Sequence, residues 1–229
     1  MRTIFGFLFT LVTLLAIGEA NALSIEDLTR KDATGGLKEA LTQGATKAVG
    51  NLGSPGGFLD NPKVKIPLPP SVQKFEGTLR SFGMGKYADE LDTTMNHAAE
   101  AAVPEAKALL VNSIKKMSVD DAKGILQGGD DAATQYFRRT TSEQMAQKFK
   151  PIVQKSMAKV QLAEKYDQFA GKASKFGLIK EEDAHLDDYV TQKTLDGLYL
   201  MIAEEEKAIR QDPVAAAGKL ARKVFGVLQ

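Results

Sequence analysis

Three features of the chain predict an all-α fold. Ala, Lys, Glu, Gln and Leu are frequent, Trp is absent, and alternating runs of Val, Ile, Thr and Tyr are missing. Apolar residues instead recur three and four apart, the period of a helix face. Glycines, prolines and capping residues punctuate these runs. The expectation is a single bundle-like domain of about eight helices, interrupted by one long extended Pro-rich connection.

Residues 1–22 read as an export signal. Arg2 supplies the positive end, Ile4 to Ile17 form an apolar stretch broken by Gly6, Thr10 and Thr13, and Ala20-Asn21-Ala22 gives the small-x-small cleavage pattern. The mature chain would begin at Leu23, and removing 22 of the 229 residues leaves 207, enough for one sizeable domain over residues 23–229. The apolar stretch is short for a membrane span, and no later stretch reaches about eighteen uncharged apolar residues. A periplasmic location and no membrane span in the mature chain are therefore expected. With no cysteine, the chain has neither disulfides nor a lipid attachment point, and its stability must come from packing. Its 30 basic and 29 acidic residues balance to a formal charge of +1. There is no basic stripe with interleaved aromatics, so a nucleic-acid partner is not expected.

The first helix, from about Gly35 to Leu52, carries Leu37, Ala40, Leu41, Gly44, Ala45, Ala48, Val49 and Leu52 on one stripe. The small side chains, and the glycines Gly44 and Gly50 inside the run, predict close approach of another helix backbone. Contact with a membrane surface is the weaker alternative, because small apolar residues insert poorly. From Gly53 to Pro70 the periodicity stops. Asn61-Pro62-Lys63-Val64-Lys65-Ile66-Pro67-Leu68-Pro69-Pro70 must run extended, since residues before proline avoid the α region. The apolar residues Phe58, Leu59, Val64, Ile66 and Leu68 predict a strap lying across the helices. Its resemblance to a polyproline ligand is the minor reading.

Ser71 to Ser81 predict a short helix ended by Gly83-Met84-Gly85. A long apolar track from Tyr87 to Ile114 follows, which Pro104 should kink or divide near Val103. Ser118 with Asp121 reads as a capping box, opening a short helix that Gly128-Gly129 closes. Asp130 or Asp131 would cap the next helix, and Thr141 with Gln144 reads as a second box before Met145, Phe149, Ile152, Val153, Met157 and Val160, with a bend at Pro151. Leu162 to Phe176 form a further segment. The helix from Leu186 to Gln211 is the most apolar, at Leu198 to Ala203, and is expected at the centre, emerging into solvent at Glu204, Glu205, Glu206, Lys207 and Arg210. Asp212-Pro213 opens a last helix from Val214 to Val227.

The chemistry-bearing residues are few. Two histidines and no cysteine leave little material for nucleophile triads or thiolate metal sites. His97-Ala-Ala-Glu100 invites a di-iron reading, but the second Glu-x-x-His, Glu182 with His185, falls in an expected loop. No metal site is predicted, and His97 is read as hydrogen-bonded at a helix contact. His185, Asp187 and Asp188 read as capping of the central helix, and Gly128-Gly129-Asp130-Asp131 as a helix stop followed by a start. Asp196, flanked by Leu195, Gly197 and Leu198, is expected to be buried and therefore protonated or paired with a lysine, an arginine or a helix terminus; Arg138 and Arg139, of which at most one can point inward, are candidate partners or candidate anion binders. A proton-handling role for Asp196 is the sharper alternative.

Gly36-Leu37-Lys38-Glu39-Ala40-Leu41, Asn61 to Pro69, Met95-Asn96-His97-Ala98-Ala99-Glu100, Ala132-Ala133-Thr134-Gln135-Tyr136-Phe137 and Ala203-Glu204-Glu205-Glu206 together resemble the bacterial family catalogued as domain of unknown function 4197. The likeness spans nearly all of the mature chain. It implies an exported, mostly helical protein and carries over no catalytic or binding residue.

The functional expectation is therefore a periplasmic binding or interaction module without a cofactor. A groove between small-residue helices, covered by the strap, would hold a lipid-like or other apolar or amphipathic ligand, a partner helix or an envelope protein. Asp196, Tyr199, Arg138, His97, Ile66 and Leu68 are the candidate contact residues. A structural envelope protein without a small-molecule site, and a hydrolase or proton-transfer enzyme built on Asp196, are the rival classes.

Overall fold

The computed structural model describes residues 30–83, 85–160, 163–164, 166–167, 175 and 185–212. The stretch read as an export signal, most of the segment from Leu162 to Phe176 and the last helix expected at Val214 to Val227 lie outside them. The described residues hold seven α-helices: α1 (Arg30–Leu52), α2 (Pro70–Ser81), α3 (Gly85–Ala102), α4 (Ala106–Lys116), α5 (Val119–Gln127), α6 (Ala132–Met157) and α7 (Leu186–Gln211). None of them is long and apolar enough to cross a membrane.

The expected punctuation holds at several joints. Pro104 lies in a 3-10 turn, Val103–Glu105, that divides the long track into α3 and α4. Ser118 and Asp121 form the reciprocal capping box of α5, with the Ser118 side chain accepting from the Asp121 amide at 3.0 Å. Pro70 is the first residue of α2, where its missing N–H costs nothing.

Two joints differ. Thr141 and Gln144 cap nothing, because α6 runs unbroken from Ala132 to Met157, with Pro151 inside it on the exposed side. Thr141 Oγ1 donates instead to the Phe137 carbonyl one turn back, at 2.7 Å. The buried stripe Ala133, Phe137, Thr141, Met145, Phe149, Val153 and Met157 crosses both supposed breaks, and its burial offsets the hydrogen bond that Pro151 removes. At the entry to α7, Asp187 and Asp188 stand in the first turn as expected, and Asp187 Oδ1 accepts from the Asp188 amide at 2.9 Å, but the His185 side chain caps nothing. The Asp167 carboxylate accepts from the Leu186 amide at 2.9 Å, while Asp188 pairs with Lys150 at 2.5 Å and Asp187 accepts from Gln154 at 2.7 Å.

Helix α7 sits at the centre, packing on α6, α1 and α3, and Leu198, Tyr199 and Ile202 are buried in it. Leu200, on its outer face, is exposed. Close approach occurs at Gly44, where an added Cβ would stand 3.3 Å from Ile209 Cδ1 of α7, but not at Gly50, where nothing lies within 4 Å.

The strap begins at a turn that needs glycine: Gly56 has φ +79°, and a Cβ on Gly57 would collide with the carbonyl oxygens of Asn51 and Leu52. It then lies down on packed side chains, with Phe58, Val64, Ile66 and Leu68 all buried. At Gly197 of α7 an added Cβ would stand 2.8 Å from the Phe58 ring and 3.2 Å from Val64 Cβ. The space expected to be a groove beneath the strap is filled there by the strap's own side chains.

Candidate functional site

The strap is held from α3 by two side chains one turn apart. Asn96, fully buried, accepts from the Ile66 amide at 2.8 Å and donates to the Ile66 carbonyl at 3.0 Å. An amide side chain presents one donor and one acceptor in the spacing a neighbouring strand would offer, so Asn96 takes the place of a sheet partner for an isolated extended residue. Glu100 Oε1 accepts from the amides of Phe58 and Leu59, both at 3.1 Å, and Glu100 Oε2 lies 2.8 Å from His97 Nδ1. Burial raises the Glu100 pKa, but the hydrogen bonds from His97, Leu59 and Phe58 outweigh it and hold the carboxyl below its ordinary range. Farther along, Tyr189 Oη donates to the Pro67 carbonyl and Gln73 Nε2 to the Leu68 carbonyl.

Between the strap, α2 and α3 opens a cleft of about 810 Å³. Lys65 and Arg80 contribute its positive charges, and Glu76, Asp89 and Asp92 its negative ones. Lys65 pairs with Asp92 at 3.0 Å, and Arg80 Nη2 with Glu76 at 2.7 Å and with Asp89 at 2.6 Å. The hydrogen bond that Arg80 donates to Asp89, and then those to Glu76, raise the Arg80 pKa further, and the contact with Asp89 lowers the pKa of that carboxyl. Leu68 and Pro67 supply the apolar part of the lining, and Phe82, at the end of α2, is 77% exposed.

The sequence-predicted residues fall into two groups. Asp196, Tyr199 and Arg138 do meet: the Arg138 guanidinium lies 4.6 Å from the Tyr199 ring centroid, in cation–π range, and its Nη1 is 3.6 Å from Asp196 Oδ1. Asp196 is not buried, however; its side chain is 44% exposed. Tyr199 is buried, and its hydroxyl is 3.0 Å from those of both Thr141 and Ser142. The cluster is a solvated ion pair over a structural tyrosine, and no cavity among those described encloses it. His97, Ile66 and Leu68 belong to the strap and its anchor.

The buried acids that reading along the chain missed are Glu100 and Glu206. Glu206, expected in solvent, is 5% exposed. Its carboxylate accepts from the amides of Ala133 and Thr134, each at 2.9 Å, at the N-terminus of α6, and from the Thr134 hydroxyl. Arg210 donates to Glu206 at 2.9 Å and, with the same nitrogen, to the Ile125 carbonyl at the end of α5 at 2.8 Å. One ion pair thus complements both helix ends at the α5–α6 corner, the carboxylate at the positive end and the guanidinium at the negative one. A signal was available: Leu195, Leu198, Tyr199, Ile202, Glu206 and Ile209 lie on one stripe at spacings of three and four, so the carboxylate faces inward.

No group of three His, Asp or Glu side chains among the described residues is arranged to hold a metal ion. Residues 27–226 match the family described as Protein of unknown function (DUF4197), and the chain belongs to that family. No curated protein and no solved structure matches it significantly.

Proposed function

We propose that this member of the family is an exported interaction module of the periplasm, and that the cleft between the strap, α2 and α3 receives a segment of a partner protein from the envelope. The observation that carries this reading is the cleft itself, about 810 Å³ with charged walls of both signs. That volume lies within the range of binding clefts, ~300–1,000 Å³. A lipid chain entering it would strip water from five charged side chains without replacing their solvation. A peptide carrying both charge signs can meet the pattern of Lys65, Arg80, Glu76, Asp89 and Asp92, and such complementarity confers partner choice. Exposed Phe82, two residues beyond Arg80, supplies an aromatic contact of the kind that anchors interfaces.

The test is native mass spectrometry of the mature protein purified from the periplasm, followed by identification of whatever accompanies it. A stoichiometric protein complex is expected from the parent chain, with Arg80→Glu and Phe82→Ala each abolishing it while the melting temperature stays within about 3 °C. A complex indifferent to both substitutions, or a lipid as the bound species, would refute the reading.

A further inference from the structure

A second opening, of about 330 Å³, lies between α4 and α6, with Asp121 of α5 in its wall. Its lining includes a pair of hydroxyls, Ser113 Oγ on a buried residue and Thr140 Oγ1 on an exposed one, 2.8 Å apart. Each hydroxyl has one proton. Thr140 donates its own to the Tyr136 carbonyl at 2.8 Å, so the proton between the pair belongs to Ser113, and the lone pairs of Ser113 remain as acceptors. The rest of the lining, Asp121 apart, has the opposite character. The ammonium of Lys116 makes no ion pair among the described residues, and the amides of Asn112 and Gln144 stand exposed beside it. Arg139 is 67% exposed, lies 5.6 Å from the Tyr136 ring centroid, and reaches Asp121 only at 3.5 Å. Asp121 Oδ2 is occupied in capping α5, accepting from the amide and hydroxyl of Ser118.

Acceptors at Ser113 and Asp121 beside the cations of Lys116 and Arg139 suit a ligand that is a hydrogen-bond donor on one side and an anion on the other. We propose that this cleft binds a single anionic sugar unit, a sugar acid or a sugar phosphate. The sugar hydroxyls donate to Ser113 and Asp121, and the carboxylate or phosphate accepts from Lys116 and Arg139. The volume admits about one monosaccharide, at the lower end of small-molecule sites. A bare inorganic anion would leave the Ser113 and Asp121 acceptors without a donor, and an apolar ligand would leave two cations desolvated. This site is separate from the strap cleft and stands whether or not that cleft binds a protein.

Calorimetric titration of the mature protein tests the proposal with galacturonic acid and glucose 6-phosphate as probes, and with galactose, glucose and inorganic phosphate as controls. The expected result is that at least one charged sugar binds about tenfold or more tightly than its neutral counterpart and than phosphate. Lys116→Ala and Arg139→Ala should each weaken it about tenfold, and affinity should fall as salt rises. Which charged sugar binds tells the two acids apart. Both substituted positions are on the surface, so melting temperatures within about 3 °C of the parent exclude misfolding, and Arg80→Glu should leave the titration unchanged. The proposal is overturned if neither charged sugar binds at roughly 10 mM, if phosphate binds as tightly as glucose 6-phosphate, or if the Lys116→Ala, Arg139→Ala double variant retains the parent affinity.

Discussion

Asn96 exposes no surface, so both of its hydrogen bonds to Ile66 form away from water, where an unmade bond costs the full desolvation of the orphaned group. Asn96→Ala strands the Ile66 amide and carbonyl and should destabilise the protein by roughly 2–4 kcal/mol in urea denaturation. Thr191 presents the contrary case. Its hydroxyl is buried with no hydrogen-bond partner among the described residues, so Thr191→Val, which keeps the shape and removes the unsatisfied group, should raise stability by up to about 1 kcal/mol in the same assay. Glu100 adds a pH dependence. Its pKa is depressed in the folded protein, so its stabilising contribution is complete above the unfolded value of about 4.3 and is lost as pH falls through the lower, folded value. The urea midpoint should therefore drop as the solution is acidified below about pH 5, and less steeply in Glu100→Gln; equal slopes for the two proteins would contradict this account.

Among the elements, the α5–α6 corner depends on one ion pair from α7. Glu206→Ala removes the acceptor for two buried amides at the start of α6 and leaves Arg210 without its carboxylate. Breaking a buried pair on one side typically costs about 3–5 kcal/mol, and loss of that size is expected by thermal or urea denaturation. A double-mutant cycle with Arg210→Ala should show coupling, since the partners share one network. The glycines on helix faces separate in the same way. Gly197→Ala forces a Cβ against the Phe58 ring at 2.8 Å and should cost about 1–3 kcal/mol through overpacking of the strap on α7. Gly50→Ala meets nothing within 4 Å in α1 and should stabilise by up to about 1 kcal/mol through helix propensity alone. Both glycines interrupt helical patterns, and only the neighbour across the interface tells them apart.

For the whole molecule, one buried cluster runs through the described helices, with α7 packed against α1, α3 and α6. Far-UV circular dichroism and tyrosine fluorescence should therefore report one coincident thermal transition; two separated transitions would show that the strap and α2 unfold apart from the central helices. The chain has no Trp, and the buried Tyr136 and Tyr199 place the fluorescence signal within the core. Much of this architecture was legible from spacing alone: the helical class, the division at Pro104, the box at Ser118 and Asp121, and the buried apolar residues of the strap. The misreadings came from judging a residue by its neighbours in sequence. Asp196 adjoins leucines along the chain, but one turn back on its own helix face stand Gln192 and Lys193, and the carboxylate is half-exposed with them. Thr141 and Gln144 had the letters of a capping box inside a stripe that never breaks.

The sequence by itself determined the all-α class, most helix boundaries and the inward apolar faces, because each of these depends on residues within a turn or two of one another. Tertiary structure alone decided where the buried polar groups find partners: Glu206 with an amide 73 residues away, Asn96 with a backbone 30 away. It also decided that the strap's own side chains fill the space at Gly197, and that the strap cleft and the α4–α6 cleft are polar openings at helix edges. A periodic pattern shows which face of a helix turns inward, whereas hydrogen-bond partners and cavities depend on which faces meet and in what register, and only the packed chain specifies that.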